Sequence, residues 1–164
     1  MTVAAISPAM SGRRVTPARI ALAALAGGAI DLAYATFAGA AAGRSFQKVW
    51  QGVASGWLGP SAGDLGWASA SLGLATHFGI AAVMAGTVAL AGDRLPVIYR
   101  RPWVSGTLYG LALYGVMHRI VLPLRWPTIF PRWDGLMSLG EVLVHVAVGL
   151  AFVFVLRGRQ PSVS

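Results

Sequence analysis

The stretch PWVSGTLYGLALYGVMHRIVL, residues 102–122, decides the fold. Among its 21 residues only His118 and Arg119 ionise near neutral pH, and roughly 20 apolar residues in a helix cross a hydrocarbon core of about 30 Å. It predicts a transmembrane helix. Three further apolar runs of similar length, roughly 19–42, 66–91 and 135–156, complete an all-α fold: a polytopic membrane protein of four transmembrane helices in a single membrane domain over residues 1–164. The composition agrees, with 56% hydrophobic and 11% charged residues and a mean hydropathy of +0.67, against about a quarter charged in an ordinary soluble domain.

The absence of cysteine excludes a disulfide framework, a thiolate zinc site, a cysteine-ligated iron–sulfur cluster and a cysteine nucleophile. The net charge of +8 does not point to nucleic acid, because the basic residues stand at the ends of apolar runs. That placement sets orientation in a bilayer and contacts anionic headgroups. Lipid is therefore the expected partner, together with other membrane subunits or further copies of the chain.

The first run has features of a secretory signal: Arg13 and Arg14 precede it, and AYA at Ala33 to Ala35 resembles a cleavage site. Small residues continue to Gly43, long enough to span, so a retained helix is expected. Counting Arg and Lys by side gives eight on the side of the termini and the second loop (Arg13, Arg14, Arg19, Arg94, Arg100, Arg101, Arg157, Arg159) and four on the other (Arg44, Lys48, Arg125, Arg132). The positive-inside rule places both termini in the cytoplasm.

Residues 45–58 predict an additional interfacial helix. Phe46, Val49, Trp50, Val53, Ala54, Trp57 and Leu58 recur at spacings of three and four, opposite Gln47, Lys48 and Gln51, before Gly59 and Pro60 stop the helix. The third loop, PLRWPTIFPRWDG, carries three prolines and should form a second aromatic cover on the same side. Trp50, Trp57, Trp126 and Trp133 are the expected anchors at headgroup level.

The ionisable residues within the runs are the candidate functional groups. Arg119 and Glu141 lie roughly 5 to 10 Å below the outer surface on consecutive antiparallel helices, and an ion pair between them is expected. Asp31, His77 and His145 lie roughly 15 to 18 Å deep, near the midplane. Asp31 shares a face with Ala23, Gly27, Ala35 and Gly39, and His77 with Ser69 and Gly73, faces that let helices approach closely. His118 follows Gly110 and Tyr114. These groups form an expected polar seam of Asp31, His77, His118, Arg119, Glu141 and His145.

The first reading of the seam is hydrogen-bonded packing; the next is a proton or small-cation path. A third is ligation of haem or another tetrapyrrole by His77 and His145 as axial ligands, with Gly73 leaving room for the macrocycle. No catalytic residue or metal site is expected. EVLVH lacks the first histidine of HExxH, and no GxSxG is present.

At VASGWLGP, HFGIA, RRPWVSGTLYGLALYGVMHRIVLPL and HVAVGL the chain resembles a family of small bacterial inner-membrane proteins, the YagU-like group. That family's pattern has asparagine where this chain has His118, and an apolar or aromatic residue at Arg119, so the His–Arg pair departs from it. The resemblance implies four helices and an inner-membrane location, and no reaction. Together these readings suggest a non-enzymatic structural or accessory component of a larger membrane assembly, with ion conduction or pigment ligation as alternatives.

Overall fold

The computed structural model describes residues 15–158; Arg13, Arg14 and Arg159 of the charge count lie outside them. Four helices are long and apolar enough to cross a membrane: α1 (Pro17–Ala41), α3 (Gly66–Arg94), α5 (Pro102–Arg125) and α6 (Leu136–Arg157). Two shorter helices, α2 (Phe46–Leu58) and α4 (Val97–Arg100), sit in the connections. Over the described residues the protein is all-helical, with four helices able to span a membrane.

Local sequence explains the ends. The Thr16 hydroxyl accepts from the Arg19 N–H and Pro17 opens α1, while Ser45 caps α2 by accepting from the Lys48 N–H. Gly59, at φ +65°, ends α2 in a conformation only glycine adopts freely. Pro123 does not end α5. Its ring would press on the Arg119 carbonyl and it has no N–H to give, and a π-turn over Met117–Val121 widens the helix there, so that it continues to Arg125.

The spanning helices stand in a curved row, α3 beside α1, α1 beside α6, α6 beside α5, while α3 and α5 barely touch. Glycine sets the closest approach. Gly106 and Gly110 of α5 meet Gly149, Leu150 and the His145 and Val146 backbone of α6, leaving no room for a Cβ at any of the three glycines. The half of the bundle nearest the termini, hereafter the terminal side, is packed with Ala23, Ala24, Ala85, Val88, Phe152, Val153 and Leu156.

The expected amphipathic helix forms as α2; Val49, Trp50 and Ala54 of its apolar side pack on protein, while Phe46, Trp57 and Leu58 stay exposed. Its contacts with the turn before α3 and with α3 itself advance together along both chains: Lys48 Nζ donates to the Gly63 carbonyl, Gln51 Nε2 to the Gly66 carbonyl, and Trp57 Nε1 to Thr76 Oγ1. Helix α2 thus descends beside α3 in the same direction, and the 3-10 turn Gly59–Asp64 carries the chain back up. Gly73 lies against the Trp50 carbonyl and Gly39 of α1 against Val49.

Trp50 is therefore no anchor at headgroup level. It is 1% exposed, held between α2 and α3, because the register that pairs Gly73 with its backbone turns the indole inward. Trp57 and Trp133 remain exposed, at 68% and 62%. Trp126 covers the end of α2, its Nε1 donating to Ser55 Oγ at 3.0 Å.

Candidate functional site

The deep ionisable residues gather in two clusters on the side of the bundle bearing α2. In the first, His77 Nε2 donates to the Gly28 carbonyl of α1 at 2.8 Å, and Nδ1 faces Asp31 Oδ2 at 3.7 Å. A carbonyl only accepts, so Nε2 carries a proton, and one further proton decides whether the couple is an ion pair. The imidazole is fixed between Trp50 and Phe78, which meet it edge-on at 5.0 and 5.2 Å. Two glycines permit this: Gly28, outside the face predicted on α1, accommodates Phe78, and Gly73, on the face predicted on α3, admits α2.

The second cluster lies between α5 and α6. Gly106, Gly110, Tyr114 and His118 recur at four-residue spacing, the stripe that α5 turns to α6. Tyr114 stacks on His118 at 4.2 Å, His118 and His145 meet edge-on at 5.4 Å, and His118 Nε2 lies 3.3 Å from Glu141 Oε2. His145 Nδ1 donates to the Glu141 carbonyl at 2.8 Å, one turn back on its own helix. His118 Nδ1 is buried without a partner.

The expected Arg119–Glu141 ion pair does not form. Depth was matched correctly, but face was not: Arg119 stands about 100° around the helix from His118, and it is exposed while His118 takes Glu141. Arg119 therefore leaves the seam. The Gly-Gly-Tyr-His stripe was the signal that names His118 instead. Tyr34 went unnoticed in the sequence; its hydroxyl donates to the Met137 carbonyl and ties α1 to the start of α6.

The seam ends abruptly. Below Asp31 and His145, the terminal half of the four helices contains no His, Asp or Glu among the described residues until Asp93 at the end of α3. Phe152, Val153 and Leu156 fill that half, all at most 2% exposed.

The residues do not fit a bis-histidine tetrapyrrole. His77 Nε2 is held by the Gly28 carbonyl, Nδ1 faces the Asp31 carboxylate, the rings of Trp50 and Phe78 flank the imidazole, and the space expected at Gly73 holds the α2 backbone. Among the described residues no three His, Cys, Asp or Glu side chains converge to hold a metal ion.

Two cavities line the gap between α3 and α5, and none of the seam residues borders either. No protein-family model, curated protein or solved structure matches the chain.

Proposed function

We propose that this protein is a non-enzymatic structural or accessory component of a membrane assembly, in which the polar seam joins helices. One observation carries this: apart from the unpartnered His118 Nδ1, the seam's groups bond to the protein's own backbone or face one another, and the bundle below them is sealed by apolar side chains. Conduction needs a chain of polar groups or water through the bilayer, and here an Ala, Val and Phe layer interrupts it. Intramembrane hydrogen bonds of this kind act as glue between helices, each contributing about 0.6 to 2 kcal/mol.

The resemblance to the YagU-like proteins supports the same setting, a bacterial inner membrane, and the arginine asymmetry supports cytoplasmic termini. Loops too small for a soluble domain leave the helix faces as the surface available to other subunits. The test is the size of the species that mild detergent extracts from the native membrane. A complex well above the 17.1 kDa chain with its detergent is expected; a monodisperse monomer would refute the assembly role.

A further inference from the structure

The row of helices leaves a groove between α3 and α5, since these two share no packed interface. Two cavities of about 340 and 730 Å³ occupy it, the smaller on the terminal side. Tyr109 separates them, its hydroxyl crossing from α5 to donate to the Met84 carbonyl of α3 at 2.8 Å. The smaller compartment is walled by Thr87 and Ala91 of α3 and by Ser105, Leu108 and Tyr109 of α5, with Ile98 at its end.

Both helix stripes run on into arginine. On α3, Val83, Thr87 and Ala91 are followed three residues later by Arg94, the last residue of the helix; on α5, the stripe of Tyr109 and Ser105 ends at the helix start, next to the non-helical N-cap residue Arg101. Arg94 and Arg101 are exposed, as is Arg100, and none forms an ion pair among the described residues. Asp93 is the sole acidic residue described on that side, against Arg19, Arg94, Arg100, Arg101 and Arg157.

The lengths match one leaflet. Arg94 lies ten residues from Met84 and Arg101 eight from Tyr109, about 15 and 12 Å along their helices, where half of a hydrocarbon core is about 15 Å. The compartment thus has an apolar wall and a tyrosine strut near the midplane, and beyond its lining residues an exposed arginine stands at headgroup depth at the end of each helix.

We propose that this compartment binds an anionic phospholipid of the terminal-side leaflet. One acyl chain lies in the groove along Ala91 and Leu108, ending at the Tyr109–Met84 bridge, and the phosphate sits between Arg94 and Arg101. The geometry selects for charge, because a zwitterionic lipid gives the arginines less to hold.

Native mass spectrometry of the full-length protein in mild detergent, titrated with equal phosphatidylglycerol and phosphatidylcholine, tests this. One phosphatidylglycerol per chain is expected to survive detergent removal, in preference to phosphatidylcholine. Replacing both Arg94→Gln and Arg101→Gln should weaken its retention roughly 30-fold, from about 1 kcal/mol for each charge near the surface. Ala91→Phe, which fills the groove and keeps the arginines, should abolish it, while Arg44→Gln on the other side should leave it unchanged. Variant folding is checked by helicity and monodispersity. Equal retention of both lipids, or of phosphatidylglycerol by both groove variants, would overturn the proposal. So would a dimer that Ala91→Phe dissociates, since a second copy would then fill the groove.

Discussion

Replacing Gly73 by alanine should destabilise the bundle, whereas the same change at Gly79, six residues along the same helix, should not. A Cβ at Gly73 would overlap the Trp50 carbonyl oxygen and stand 2.9 Å from its carbon and 3.2 Å from the Ala54 nitrogen. All three are backbone atoms of α2, so no side-chain rotation relieves the overlap, and the whole helix must move away. Overpacking of this kind costs about 1 to 3 kcal/mol, and a clash with backbone belongs at the upper end. Alanine recovers about 1 kcal/mol of helix propensity, leaving a net loss of about 2 kcal/mol. At Gly79 nothing lies within 4 Å, and only the gain of up to about 1 kcal/mol remains. Reversible unfolding in mixed micelles, followed by helicity, measures both. Equal stabilities for the two variants would refute the close packing of α2 on α3.

Other substitutions separate buried groups from exposed ones. A double-mutant cycle of Asp31→Asn and His77→Ala should give a coupling of about 1 kcal/mol, the size usual for polar contacts between membrane helices; additive losses would mean the pair contributes nothing. Trp50→Ala should cost about 3 to 5 kcal/mol and Trp133→Ala less than about 0.5 kcal/mol, read in the same unfolding assay; similar losses would contradict the inward placement of Trp50. Tyr109→Phe should cost about 1 kcal/mol through the lost bond to Met84, and an unchanged midpoint would show that the strut is not formed. Because His77 Nε2 is bonded to the Gly28 carbonyl and α2 fills the space at Gly73, protein purified from its native membrane should lack a Soret band.

The four spanning helices were legible because hydrophobic length is set by the bilayer itself, and small-residue faces flagged Gly27, Gly39 and Gly73 as contact positions. What each glycine meets was not legible. Gly73 offers the same vacancy to a macrocycle as to a helix backbone, and only tertiary structure shows that α2 fills it. Trp50 misled for a related reason: amphipathic spacing locates an apolar side without saying whether lipid or protein covers it. Depth alone paired Arg119 with Glu141, whereas the helical face selected His118. The groove between α3 and α5 had no local signal, since it arises from the order in which the helices stand.

Proton flux into liposomes containing the purified full-length protein, driven by an imposed pH gradient, tests most directly whether the seam is closed. The apolar layer of Phe152, Val153 and Leu156 predicts a rate equal to that of protein-free liposomes, unchanged by Asp31→Asn or His77→Ala. A flux above that background, lost in His77→Ala, would contradict the account and make the seam a proton path.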